Sequence, residues 1–240
     1  MKNRLYLGAC VFLLLMQGMA VCNAQNKDFA NLKRYAESNR MLQQEQSGTV
    51  KGRVVFMGNS ITEGWVRTDG QFFEENGYVG RGISGQTSYQ FLLRFREDVI
   101  KLKPEVVVIN AGTNDVAENI GPYVEEYTFG NIVSMVELAR ANDIKVVLTS
   151  VLPAAAFGWN KTITDAPQKI AALNKRIAAY AAEQGLPYVD YYHALLADDG
   201  HSLDAAYSKD GVHPTLDGYR VMEPLVKKVV SEVLGNGSGK

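Results

Sequence analysis

The chain has 240 residues, 46% hydrophobic and 21% charged, a balance that supports a full hydrophobic core and excludes a disordered or collagen-like chain. Its 25 basic and 26 acidic residues leave a formal net charge of −1 with no long run of either sign, so nothing marks a nucleic-acid partner. A neutral or mildly polar small molecule fits better.

At the start, Lys2 and Arg4 precede a mostly apolar stretch from Leu5 to Ala20, followed by small residues. This pattern is that of a secretory signal peptide over residues 1–24, with cleavage after Ala24 and a mature start at Gln25. Lipidation at Cys22 is the alternative, and Val21 before it is bulkier than a lipidation signal prefers. The apolar core is short of the roughly 20 residues a membrane span needs, so no stable insertion is expected after cleavage. The protein is therefore expected outside the cytoplasm, periplasmic or secreted. Cys10 and Cys22, the only cysteines, both lie in the leader, so the mature chain would hold no disulfide and no thiol nucleophile.

From Asp28 to Gln44 the residues Phe29, Leu32, Tyr35, Ala36 and Leu42 recur at roughly helical spacing and predict an amphipathic helix. Arg53 to Met57 is an apolar, β-branched strand that ends in Gly58-Asn59-Ser60, and a turn of helix carrying Trp65 follows. Gly70 to Gly77 predicts a short core helix and Tyr78 to Ile83 a second, weaker strand. Ser88 to Leu102 predicts a surface helix, with Phe91, Leu92, Phe95, Val99 and Leu102 on one face and Arg94, Arg96, Asp98 and Lys101 on others. Glu105 to Asn110 is the clearest strand, Tyr123 to Ala141 a helix, and Lys145 to Val151 a strand. Ala166 to Gln184 predicts a helix closed by Gly185, Leu186 to Tyr191 a last short strand, and Thr215 to Leu234 a terminal helix. Strands alternating with helices predict a three-layer α/β/α sandwich around a mostly parallel, five-stranded sheet. One domain over residues 26–234 is expected, with a flexible tail over 235–240.

In such a sheet the carboxyl ends of the strands converge on one crevice, and small polar residues cluster there. Ser60 follows the first strand, Gly82-Ile83-Ser84-Gly85-Gln86-Thr87 the second, and Ala111-Gly112-Thr113-Asn114-Asp115 the third. Asp210-Gly211-Val212-His213-Pro214 lies near the carboxyl end. Acyl transfer needs a hydroxyl nucleophile, a base, a carboxylate that holds the base, and donors for the oxyanion. Asp210 and His213 can share one tight turn, with one ring nitrogen on the carboxylate and the other facing Ser60. The plainer readings stay open for each part taken alone: Ser60 as a turn and cap residue, and Asp210 with His213 as a polar turn before a helix.

These four blocks, in this order, resemble the SGNH (GDSL) hydrolase family, named for Ser, Gly, Asn and His, here Ser60, Gly85, Asn114 and His213. The resemblance covers nearly the whole mature chain and implies a flavodoxin-like fold and esterase or lipase-like acylhydrolase activity. It further implies Ser60 as nucleophile, His213 as general base and Asp210 as its orienter. The N–H groups of Ser60 and Gly85 and the amide of Asn114 would form the oxyanion hole. The family usually has Asp before the serine; here Asn59 stands there, keeping an acceptor oxygen without the charge. No metal or cofactor is implied.

Gly80-Arg81-Gly82-Ile83-Ser84-Gly85 matches a dinucleotide fingerprint, but the position for its ribose-binding acid falls near the apolar Val106 to Ile109 run. A metal-dependent phosphoesterase would draw on Asn114, Asp115, Asp210, His213, His193 and His201, yet Asn59 and Ser60 stand where a bridging carboxylate is wanted. His193 and His201 read as surface histidines, and Ser84 and Thr87 as turn and cap residues. A carbohydrate-binding domain with a decayed site is disfavoured because every catalytic role is filled. Asn59, Trp65 and Trp159 are candidate substrate contacts, and Trp65, Phe157 and Trp159 are read equally as pocket rim or as packing residues. The expected substrate is a small acyl ester, acetyl on carbohydrate, with lysophospholipid or thioester as the alternative.

Overall fold

Strands that are apolar on both faces need cover on both faces, and the fold supplies it. The computed structural model describes residues 28–44 and 49–235. The expected signal peptide and cleavage site, both cysteines and residues 236–240 of the expected tail lie outside the described residues. Five strands, β1 (Val50–Gly58), β2 (Tyr78–Gly82), β3 (Pro104–Ile109), β4 (Lys145–Thr149) and β5 (Tyr188–Val189), form one parallel sheet in the order β2-β1-β3-β4-β5. The helices are α1 (Ala36–Gln44), α2 (Ser60–Thr68), α3 (Gly70–Asn76), α4 (Ser88–Asp98) and α5 (Thr113–Val116), then α6 (Glu125–Arg140), α7 (Ala166–Glu183), α8 (Tyr191–Ala194) and α9 (Leu216–Gly235).

The alternation of side chains along β1 divides the core in two. Val55 and Met57 face the layer of α4, α6 and α7, packing with Phe91, Phe95, Met135 and Leu173. Val54 and Phe56 face the layer of α2, α3 and α9, packing with Trp65, Phe73, Tyr219 and Met222. Each such side chain, fully buried, contributes about 1.5–3 kcal/mol. The sandwich and its five-stranded sheet are as the alternation of elements implied, with the sheet parallel throughout. No helix among the described residues is long and apolar enough to cross a membrane.

Three expectations need correction. The predicted helix from Asp28 begins only at Ala36, because Asn31 takes a left-handed conformation (φ 55°) and the Asp28 carboxylate binds Leu32 N and Lys33 N in a turn. Phe29 and Leu32 are therefore exposed. The last strand shrinks to Tyr188–Val189, since Asp190 already caps α8 by accepting from His193 N. On α4, Arg94 and Asp98 are not on an exposed face: they are 0% and 1% exposed and paired to each other at 2.9 Å. A buried charge needs such a partner and further hydrogen bonds, and Arg94 has them.

Candidate active site

β1 enters the rim through Gly58, where an added Cβ would meet Thr62 Oγ1 at 2.0 Å, so only glycine admits α2 so close behind the strand. Asn59 caps α2, its Oδ1 accepting from Ile61 N at 2.9 Å. A cap needs an acceptor and not a charge, which accounts physically for asparagine at this position. Asn59 is 1% exposed, its Oδ1 is spent on the backbone, and it is not among the residues that line the cleft.

Ser60 opens α2, and its Oγ lies 2.9 Å from His213 Nε2. His213 Nδ1 lies 2.7 Å from Asp210 Oδ2, while Asp210 Oδ1 accepts from His213 N at 2.8 Å and Val212 N at 3.0 Å. Asp and His three residues apart thus close one turn in which the carboxylate fixes both the backbone and the ring. Burial disfavours the charge on Asp210, but the hydrogen bonds from His213 and Val212 outweigh it and hold its carboxyl at about 2. An ionised Asp210 accepts a proton-bearing Nδ1, which leaves the Nε2 lone pair facing the Ser60 hydroxyl. This chain can draw the hydroxyl proton onto the ring while the oxygen attacks an acyl carbon.

Ser60, Ser84, Gly85, Asn114, Asn119, Trp159 and His213 line one open cleft of about 380 Å³. Larger depressions exist, about 510 Å³ beside Arg140 and Leu186 and about 580 Å³ beside Arg67 and Tyr78, but neither contains a nucleophile beside a base. The chemistry and not the volume marks the site. Gly85 takes φ 77° with open space where a Cβ would stand, so glycine is there for conformation. Asn114, on α5, is 2% exposed and donates Nδ2 to Gln86 O at 2.9 Å.

Of the aromatic candidates only Trp159 reaches this cleft. Trp65 is a correction: it is 2% exposed, stacked between Phe72 and Tyr219 at 5.4 and 5.3 Å, with Nε1 on Glu223. An apolar ring sandwiched by two others belongs to the core of the sandwich. Phe157 is buried as well and packs under Trp159. Trp159 is 48% exposed, 6.1 Å from the His213 ring, and its Nε1 donates to Asn119 Oδ1 at 2.8 Å.

Asp115 points away from the cleft, accepting from Ser88 N and Oγ and from Thr128 Oγ1, and burial raises its pKa. His193 and His201 are exposed and bound to their own turns, and among the described residues no three His, Cys, Asp or Glu side chains converge. Thr87 caps α4, its N–H donating to the Gln90 side chain at 3.1 Å. Ser84 turns the chain and also lines the cleft.

Sequence reasoning missed the residues that hold these groups in place. Arg94 donates to Gly58 O at 2.8 Å, Arg81 O at 2.9 Å and Gln86 Oε1 at 2.6 Å, tying the ends of β1 and β2 to the loop that holds Asn114. Asn119 donates to Gly85 O at 3.0 Å. Their only sequence signal is a polar residue inside or beside an apolar run, which by itself does not separate a buried clamp from a solvated side chain.

The model of the GDSL-like lipase/acylhydrolase family matches residues 56–221, a span that holds all the cleft residues named above. The crystal structure of a GDSL-like lipase from Bacteroides thetaiotaomicron is 62% identical, covering 85% of this chain and 98% of that one with a TM-score of 0.81. Esterase TesA of Pseudomonas aeruginosa is 27% identical over 67% of this chain and 74% of its own. The acetylxylan esterase of Xylanibacter ruminicola is 24% identical over 74% of this chain, which spans 43% of that longer protein. With the fold, the serine–histidine pair and these relatives in agreement, the chain belongs to the GDSL-like lipase/acylhydrolase family and is a carboxylic ester hydrolase.

Proposed function

We propose that this enzyme is exported and removes short acyl groups, acetyl above all, from carbohydrate, with Ser60 as nucleophile. The observation that carries the mechanism is the continuous Ser60–His213–Asp210 hydrogen-bonded chain at the floor of the cleft. Ser60 Oγ attacks the ester carbonyl while its proton passes to His213 Nε2. The carbonyl electrons move onto oxygen, where the N–H groups of Ser60 and Gly85 and the Asn114 amide stabilise the charge. Collapse expels the alkoxide, which takes the proton from His213, and leaves an acyl group on Ser60. Water attacks that ester with His213 again as base, releasing the carboxylic acid and restoring Ser60.

The substrate reading rests on the cleft. Its wall combines the exposed Trp159 ring with the amides of Asn114 and Asn119 and the Ser84 hydroxyl, a set that suits a sugar's apolar face and its hydroxyls. The similarity to an acetylxylan esterase points the same way. Each methylene that finds an apolar pocket adds up to about 0.8 kcal/mol of binding, so a fatty-acyl enzyme shows kcat/KM rising with chain length. Comparing acetyl, butyryl, octanoyl and palmitoyl esters of one leaving group should give the opposite order, and acetate should appear from acetylated xylo-oligosaccharides. A preference for octanoyl or longer chains would overturn the carbohydrate reading. Export is tested by N-terminal sequencing from the native host, expected to begin at Gln25; a lipid-bearing start at Cys22 would place the enzyme on a membrane surface instead.

A further inference from the structure

Gly85, which lines the cleft, is held from both sides. On one side the Glu63 carboxylate accepts from Ser84 N at 2.9 Å and from the Ser84 hydroxyl through the same oxygen. On the other, Asn119 Nδ2 donates to Gly85 O at 3.0 Å. Among the hydrogen bonds of the described residues, the Gly85 N–H between these ties has no partner.

Glu63 lies three residues after Ser60, so it and the nucleophile share the first turn of α2. Its other oxygen accepts from Arg34 Nη2 at 2.8 Å, which braces the carboxylate from outside the sheet. Burial works against the charge on Glu63, but the hydrogen bonds from Ser84 and Arg34 outweigh it and keep the carboxyl below its ordinary value. A glycine at φ 77° has wide conformational freedom, and nothing stands within 4 Å of the place a Cβ would occupy. An oxyanion donor works only if its direction is fixed before charge develops. From these contacts we propose that Glu63 is a positioning residue that locks the Gly85 N–H to the nucleophile's helix, with Asn119 closing the bracket from the opposite side.

This inference rests on the esterase reading above, and two measurements keep the two apart. Glu63 is partly exposed and its removal leaves no apolar void, so Glu63→Ala should fold with a Tm close to wild type. Amide hydrogen exchange at Ser84 should speed up more than tenfold in Glu63→Ala, a readout that needs no substrate. In steady state kcat should fall about tenfold to hundredfold, with KM within twofold, because the donor acts on the transition state. Glu63→Gln, whose amide oxygen still accepts from Ser84, should recover most of that loss. Ser84→Ala removes the hydroxyl bond to Glu63 and keeps the Ser84 N–H bond, so it should cost less kcat than Glu63→Ala and add almost nothing to it in the double variant.

Unchanged exchange at Ser84 would overturn the bracket whether or not the enzyme turns over. A kcat within twofold of wild type, a loss confined to KM, or full additivity with Ser84→Ala would overturn the catalytic consequence. Hydrolysis that does not depend on Ser60 would sink the proposed Ser60 mechanism and leave the exchange result standing.

Discussion

Asn114 has two amide hydrogens, and the fold uses one: Nδ2 donates to Gln86 O at 2.9 Å, leaving the other for the cleft that Asn114 lines. In the proposed mechanism that second hydrogen binds the oxyanion. Asn114→Ala is expected to lower kcat about 100- to 1,000-fold with little change in KM, the usual cost of one lost donor. Steady-state kinetics decide it, and a change confined to KM would mean that Asn114 binds the ground state.

Asp210 makes a separate, pH-dependent prediction. Its folded pKa of about 2 lies below the ordinary 3.8, so the stability it contributes is present above about pH 3.8 and is lost as pH falls through 2. Thermal unfolding of wild type and Asp210→Asn should therefore differ at pH 6 and converge only below pH 2. A gap that stays constant would show that the carboxylate's charge is not what stabilises the turn. The residues proposed to carry chemistry were legible because each sits in a short block after a strand or before a helix. Glu63, Gln86, Arg94 and Asn119 were not, because a hydrogen bond to a backbone carbonyl or amide leaves no pattern in the residue types.

Helix α4 shows the same limit one level up. Its apolar face, with Phe91 and Phe95, was readable from the helical period, whereas Arg94 and Asp98 occupy positions that the same period assigns to solvent. They are buried because Arg94 satisfies carbonyls from β1 and β2 that no water reaches, and Asn39 on α1 adds a bond to Asp98 at 2.7 Å. Removing one charge of such a pair costs about 3–5 kcal/mol, mostly for the partner left unpaired. Arg94→Met is expected to destabilise by that amount in urea unfolding, and adding Asp98→Leu to recover part of it. If Arg94→Met cost less than about 1 kcal/mol, the guanidinium would not be the anchor of these strand ends.

Strand existence was readable throughout, but strand length was not: β1 runs from Val50 to Gly58 where Arg53 to Met57 was expected, β4 stops at Thr149 and not Val151, and the cap of the next helix cut β5 short. The first helix failed for a comparable local reason. An Asp28 turn and a left-handed Asn31 outcompeted an apolar period too weak to bury Phe29 and Leu32.

At the scale of the molecule, the sheet order β2-β1-β3 places three strand ends side by side, so Ser84 with Gly85, Asn59 with Ser60, and Asn114 meet at one rim. The loop before α9 then brings Asp210 and His213 across to them. The parallel sheet could be expected from the alternation of strands and helices, but the neighbours of each strand could not, because nothing local in an apolar run says which other run it pairs with. The convergence of the first three blocks followed from their place at strand ends, the fourth came from the resemblance to a family, and Ser60, Gly85, Asn114 and His213 line one cleft.

In the proposed mechanism Ser60 carries the acyl group between the two halves of the reaction. Rapid mixing of the enzyme with an activated acetyl ester, followed by acid quench and peptide mass spectrometry, tests it most directly. The expected result is one acetyl group on the peptide containing Ser60, formed with a burst of the leaving group. Ser60→Ala should show neither, with kcat lowered at least about 1,000-fold. Undiminished turnover in Ser60→Ala, or acetyl found only on another residue, would contradict it.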